Sequence, residues 1–245
     1  MFRIARRFYY SNGVEHVASN GLRPLLYGKN SVQYKVLDRA LKKHVSREGF
    51  NERAIVNAAN DLGYSSSIIC GLSAFNSPSV LNVQSSVLEL VKFNLVTKRV
   101  QLQEGLKEDT TLEDLFLKRV EADMPIAGQL SQMMSILAVP GQFLVDTGLP
   151  ELFQLSDDMI YFSVEKDHND LAWYSKRMAV SMAYVATNLF MTRDKSPGFQ
   201  ETMDFARTRL RQVEEMGTMY NNVEEFAWFQ LMMSINLVKS QLSRG

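Results

Sequence analysis

The residues that could do chemistry are few. His16, His44 and His168 are the histidines, and Cys70 is the one cysteine. In "EKDH", Glu165 and His168 stand three apart, the spacing with which helical bundles present a carboxylate and an imidazole to iron. A di-iron carboxylate centre takes two such motifs and two further inward glutamates. One motif is present, among charges that read as a solvated turn, so the pair reads as structural. Asp157-Asp158 imitates a carboxylate dyad, but adjacent helical residues project about 100° apart. His44 falls on or near the apolar stripe of its helix, where a hydrogen-bonded structural histidine is expected. No GxxxxGK phosphate cradle, no GxGxxG and no Ser-His-Asp order occurs. A single cysteine excludes an intrachain disulfide and a cysteine-based zinc site, and suits a reducing or matrix-like compartment. The expectation is a non-enzyme with no catalytic residue, metal or cofactor.

The elements that must position any site are helices. Of 245 residues, 46% are hydrophobic and 22% charged, with zero formal net charge. That is a folded globular composition, and it excludes whole-chain attraction to nucleic acid or acidic lipid. No apolar run reaches the roughly 20 residues of a spanning helix. Residues 11–31 carry Gly13, Asn20-Gly21, Pro24 and Gly28 and read as loop. Leu37, Ala40, Leu41, His44 and Val45 recur at helical spacing up to Gly49. A short helix about Glu52 to Leu62 follows, ended by Gly63, and a third begins after Ser65 to Ser67. Ser77-Pro78 opens a longer one through Leu81, Val87, Leu88, Val91 and Leu95. Thr111 with Asp114 resembles a capping box. Pro125, Pro140 and Pro150 divide three short apolar helices. Ser196-Pro197 starts another helix, ended by Gly217, and Asn222 with Glu225 caps the last. No strand period and no repeat appears. The fold class is all-α.

Three short helices ahead of a longer helical domain suggest a helix-turn-helix before a ligand-binding bundle. The words from "VLDRALKKHV" to "SAFNSPSVL" resemble the amino-terminal module of the TetR family of regulators. DNA binding needs Lys and Arg at phosphates and polar groups at base edges. Between Arg53 and Lys92 there is no Lys, Arg or His. Tyr64, serines, Ile68, Ile69 and Cys70 cannot neutralise a phosphate backbone. A TetR-type, ligand-responsive DNA-binding regulator is therefore the alternative reading, and no nucleic-acid partner is expected.

Three stretches point toward apolar partners. In "DLAWYSKRMAVSMAYVATNLFM", Leu171, Tyr174, Met178, Met182, Val185 and Leu189 form one stripe, expected to meet the core. Trp173, Val180, Tyr184, Thr187 and Met191 fall on roughly the opposite side, with Arg177 one turn from Trp173. Trp, Tyr and Arg are the types enriched at interface hot spots. The 13 methionines, several of them near 133–134 and 178–191, suit irregular apolar cavities. From Phe226 to Val238 there is no charge, and apolar residues cover most of the circumference. That helix is either buried against a partner or seated in a membrane interface. At the start, Arg3, Arg6 and Arg7 lie among aromatic and aliphatic residues with no acid before Glu15. This composition is that of a mitochondrial transit peptide.

"LSDDMIYFS", "DLAWYSKR", "LFMTRDKSPGFQETMDFARTRL" and "EEFAWFQLMMSINLVKSQL" resemble the ubiquinone-biosynthesis accessory protein family, a mitochondrial lipid-binding branch of the TetR structural superfamily. The resemblance runs from about Gln33 to Gly245. It is most specific at Asp170, Trp173, Tyr174, Arg177, Asp194, Ser196, Pro197 and Phe199. It implies a TetR-like helical bundle divided as 1–32 transit peptide and disordered lead-in, 33–76 helix-turn-helix-like module, 77–217 lipid-binding domain and 218–245 membrane-associating helix. It also implies a homodimer, peripheral on the matrix side of the mitochondrial inner membrane, that binds polyisoprenoid quinones and phospholipids. The implied partner is the di-iron demethoxyubiquinone hydroxylase, within the ubiquinone-biosynthesis complex. Its patch maps to Asp157, Asp158, Met159, Asp170, Trp173, Tyr174 and Arg177. Lipid-binding positions, which no motif defines, are taken from the methionine-bearing helices: Met133, Leu137, Phe143, Leu144, Met178, Met182 and Tyr184. Membrane association is assigned to Phe226, Trp228, Phe229, Met232 and Met233. The loop "VEKDHN" before Asp170 departs from the family pattern.

Overall fold

The computed structural model describes residues 24–72, 84–164 and 172–218, without the side chains of 172–174, 214 and 216–218. Among these residues every regular element is helical. The first helix, α1, is Val32–Arg39 and continues through a π turn, Ala40–His44, into Val45–Glu48. Ser31 caps its start by accepting the Tyr34 N–H. Val36, Leu37, Ala40 and Val45 turn inward and are fully buried, as the three-and-four spacing requires. Gly49 ends the helix at φ +81°, a left-handed conformation that glycine adopts without strain. Helix α2, Glu52–Asp61, is capped by Asn51 accepting from Ala54, and α3 is Ile68–Leu72. These three helices form the front module.

Helix α4, Ser85–Gln101, is the centre of the larger domain. It is enclosed on most sides: Leu90, Val91, Phe93 and Val96 are fully buried, and so in effect are Glu89, Asn94 and Arg99. Charged groups in such a helix need partners inside the fold. Ser77 and Pro78, expected to open this helix, lie outside the described residues. Helix α5, Leu112–Glu121, begins with the expected capping box, in which Thr111 and Asp114 each bond the other's backbone. A 3₁₀ turn, Met124–Gln129, leads into α6, Leu130–Ala138. Then come a π turn, Leu144–Gly148, α7, Leu149–Phe162, and α8, Ala172–Met191. A 3₁₀ turn at Pro197–Phe199 precedes α9, Gln200–Thr218. Helices α7, α8 and α9 pack in sequence, and α5 packs on all three.

Three expectations change. Pro150 does not divide two helices; it sits near the start of α7, and the π turn before it carries the helix on without a break. The wider π turn relieves the carbonyl clash that proline imposes inside a regular α-helix. The lead-in is not disordered throughout, because Leu25 is buried in the core and Tyr27 packs against it. The inward side of α8 is the opposite of the one expected. Arg177, Val180, Ser181, Tyr184, Thr187, Asn188 and Met191 are buried, while Met178 is exposed and Met182, Val185 and Leu189 are half-buried. Counting apolar residues chose the wrong face, because Arg177, Ser181, Tyr184 and Asn188 on the buried side meet partners across the helix interface, while Thr187 bonds the Ala183 carbonyl of its own helix.

Candidate functional site

Two sets of buried ions fix α7 and α8, the helices that carry most of the expected patch. The first lies between α4 and α7. Arg99 Nε donates to Glu151 Oε2 at 2.9 Å, and its Nη1 donates to Asp158 Oδ2 at 3.0 Å. All three side chains are almost wholly buried. Burial pushes the Glu151 carboxyl above its ordinary range, only partly offset by Arg99. On the other side of α7, Arg177 Nε donates to Asp157 Oδ1 at 2.6 Å. Ser181 Oγ donates to the Leu152 carbonyl at 3.4 Å. Adjacent aspartates thus point to different helices, as the 100° step demands.

The second set sits where α4, α5 and α8 meet. Asp123 has no exposed surface. It receives Lys98 at 2.9 Å, Tyr184 Oη at 2.5 Å and Asn188 Nδ2 at 3.2 Å, and Arg119 Nη1 lies 2.7 Å away. Arg119 also lies over the Tyr184 ring, 5.0 Å from its centroid, and Phe116 meets that ring edge-on at 6.4 Å. Burial alone would raise the Asp123 carboxyl, but Arg119 and Lys98 outweigh it and hold the group well below the usual carboxylate range. Burial pulls the Lys98 ammonium down, with Asp123 opposing, and pushes the Tyr184 phenol far up. Two cations therefore share one carboxylate.

The patch residues divide by depth. Asp157 keeps part of its surface and pairs with Arg177. Asp158, Met159 and Arg177 are at most 2% exposed, so they have no surface to offer a partner. Asp158 ties α7 to α4 through Arg99, and Arg177 ties α8 to α7 through Asp157. Asp170 lies outside the described residues. Trp173 and Tyr174 lie in the first turn of α8, and their side chains are outside what is described. Several of the side chains that reach solvent nearby are apolar. Val145, Leu149, Phe153, Tyr161, Val164 and Met178 are six of the eight exposed large hydrophobic residues among those described.

The lipid-binding positions do not share one space. Met133 is buried, and its sulfur accepts from Asn94 Nδ2 at 3.2 Å. Tyr184 is committed to Asp123. Leu137 and Leu144 approach each other at Gly148, where an added Cβ would lie 3.5 Å and 3.3 Å from them. Phe143 packs partly buried against the core, Met182 is half-buried, and Met178 faces solvent. The membrane-associating positions Phe226, Trp228, Phe229, Met232 and Met233, and the pair Glu165 and His168, fall outside the described residues. Among the described residues no helix is long and apolar enough to cross a membrane.

Lys43 and His44 both turn to Asp61, at 2.6 Å and 3.0 Å, so His44 is the hydrogen-bonded structural residue expected. The buried ion sets were missed in the sequence. Their signal was there: Arg119 and Asp123 stand four apart, and Ser181, Thr187 and Asn188 line up with Tyr184.

Comparison with known proteins agrees with the family resemblance. The COQ9 family model matches residues 145–217. The chain is 64% identical to "Ubiquinone biosynthesis protein COQ9, mitochondrial" of Eremothecium gossypii, covering 100% of both chains. It is 54% identical to the Saccharomyces cerevisiae protein of that name, covering 98% of this chain and 95% of the relative. With the Homo sapiens protein the identity is 28%, over 77% of this chain and 59% of the relative.

Proposed function

The chain belongs to the COQ9 family, mitochondrial and with a role in ubiquinone biosynthesis, and from that premise we propose that it is a non-catalytic accessory protein presenting a polyisoprenoid quinone intermediate to the di-iron demethoxyubiquinone hydroxylase. The protein works at the matrix face of the inner membrane as a peripheral homodimer of TetR-like architecture. The physical need is the tail of the substrate. Each buried CH₂ gains roughly 0.8 kcal/mol, so such a lipid does not cross water unaided to a soluble active site.

The observation that carries this reading is the concentration of exposed apolar side chains from Val145 to Met178, in the part of the chain where the family model begins. Exposed large apolar side chains gathered in one stretch support an interaction site there. Behind it, the Arg99–Asp158 pair fastens α7 to α4 and the Arg177–Asp157 pair fastens α8 to α7. Asp158 and Arg177 thereby act as positioning residues for the surface, with Asp157, Trp173 and Tyr174 as its contacts.

The test is mass spectrometry of lipids that copurify with the full chain, with and without the hydroxylase. Recovery of an isoprenoid quinone that falls when the hydroxylase is added supports presentation. Recovery of neither isoprenoid nor phospholipid overturns it. Trp173→Lys then tests the patch: it is expected to abolish hydroxylase capture while leaving helicity and melting unchanged.

A further inference from the structure

Two of the exposed large hydrophobic residues, Leu26 and Val32, stand apart from the strip on α7 and α8. The segment before α1 holds Leu26 outward by fastening both of its neighbours. Leu25 is 7% exposed and belongs to the core, whereas Leu26 is 87% exposed. Tyr27 lies over Phe93 of α4, with ring centroids 6.4 Å apart and planes at 22°. Its hydroxyl donates to Oε1 of the buried Glu89 at 2.8 Å. The chain then turns into α1, where the Gly28 carbonyl accepts from both the N–H and the hydroxyl of Ser31, whose Oγ caps the helix. A leucine presented on so firmly tied a segment contributes nothing to the core.

Cations flank it. Lys29, Lys35 and Arg39 are exposed and make no ion pair among the described residues. Val32, Lys35 and Arg39 stand three and four apart, so they share one face of α1. The nearby acids do not cancel this charge. Asp38 is taken up by Lys42 at 2.8 Å, and Glu104 acts on Tyr34, which projects to another side of the helix. The whole chain has zero formal net charge, so the excess is local to this face.

We propose that Leu26, Lys29, Val32, Lys35 and Arg39 form a contact for an anionic phospholipid surface, with Leu26 entering the boundary of headgroups and acyl chains while the cations meet the phosphates. The pairing of residue types selects the occupant. A nucleic-acid backbone satisfies the cations through its phosphates but leaves the projecting leucine in water. An anionic bilayer interface takes both, burying the apolar side chain and attracting the basic ones. The contact uses none of the residues of the α7 and α8 strip, which it leaves to a protein partner. The inference rests on the peripheral-membrane part of the proposed function and not on lipid presentation.

The experiment is cosedimentation of the full chain with vesicles of phosphatidylcholine alone and of phosphatidylcholine mixed equally with phosphatidylglycerol. Tighter binding to the anionic vesicles is expected. At low ionic strength Lys35→Gln/Arg39→Gln is expected to weaken that binding about thirtyfold, about fivefold for each cation removed, and high salt is expected to erase the difference. Leu26→Ser is expected to weaken it about tenfold at either salt, because an apolar insertion is lost. All three side chains are exposed, so melting is expected to stay unchanged. Lys107→Gln/Lys195→Gln removes the same charge elsewhere and is expected to bind as the unaltered chain does. Undiminished binding of either the Leu26 or the Lys35/Arg39 variant, or equal weakening in the Lys107/Lys195 variant, overturns the inference. So does binding of duplex DNA that depends on Lys35 and Arg39 but not on Leu26. Failure here leaves the copurifying lipids unchanged, so it is distinguishable from failure of the lipid-presenting reading.

Discussion

In the front module, one fastening to the rest of the molecule is neutral and made against backbone, beside a bond from Ser86 of α4 to the Glu52 carboxylate at 3.0 Å. The Gln132 side chain of α6 accepts the Phe50 N–H at 2.8 Å and donates to the Phe50 carbonyl at 3.2 Å, beside the left-handed Gly49. In the larger domain the corresponding work falls to buried charges, with Asp123 serving Lys98 and Arg119, and Arg99 serving Glu151 and Asp158. The two regions are therefore expected to fail differently. A neutral clamp loses about the value of its hydrogen bonds when cut, roughly 0.5–1.5 kcal/mol each. An ion removed from a buried cluster leaves an uncompensated charge, at about 3–5 kcal/mol.

The largest effect is expected at Asp123→Ala, which leaves Arg119 and Lys98 in the core without their carboxylate. A loss of about 3–5 kcal/mol corresponds to a fall in melting temperature of about 10 °C for a chain of this size. A fall of a degree or two by calorimetry would erase the contrast between the regions. Next is Gly49→Ala, which combines a positive φ with a Cβ placed 2.5 Å from Gln132 Oε1. The expected cost is about 2 kcal/mol from the backbone and the clash together. Adding Gln132→Ala relieves the clash, so denaturant titration of the double variant is expected to show less than the sum of the two single losses.

A smaller, pH-dependent term lies at the start of α9. Asp194 accepts from the N–H of Ser196 and from the N–H and hydroxyl of Thr202. Partial burial would raise its carboxyl, but these bonds outweigh it and hold it at about 2. The folded value lies below the unfolded one of about 3.9. Its contribution is thus full above about pH 4 and lost as pH falls through about 2. Asp194→Asn is expected to cost about 1 kcal/mol at pH 7 and progressively less toward pH 2, read from melting curves across that range. The smallest effect on stability is expected at Met178→Glu, within about 0.5 kcal/mol because the side chain already faces solvent. If the exposed apolar strip is the working surface, the same change abolishes hydroxylase capture; undiminished capture removes Met178 from that surface.

Much of the fold was legible because helices announce themselves locally. The Thr111–Asp114 capping box, the stop at Gly49 and the Ser196-Pro197 start each depend on a few adjacent residues. The helix α8 was legible as a helix and misjudged as to its face. Its apolar stripe of Met178, Met182 and Val185 had the right period, but Tyr184, Asn188 and Arg177 face inward because Asp123 and Asp157 wait for them on other helices. No single-helix pattern contains those partners. The candidate site divided in the same way. Asp157, Asp158 and Arg177 were found through a family motif, and only the packing separates the residue at the surface from the two behind it.

By itself the sequence determined the all-helical class, the absence of basic residues between Arg53 and Lys92 and the positions of most helix ends. These follow from composition, periodicity and capping, which are properties of a short window. The tertiary structure decided which side of α8 is buried, that Leu25 and Tyr27 belong to the folded unit, and that Asp123 is shared by two cations. Those outcomes depend on groups separated by about 20–65 positions along the chain. Their energies are large only when water is excluded from around them, and that exclusion exists only once the helices have packed.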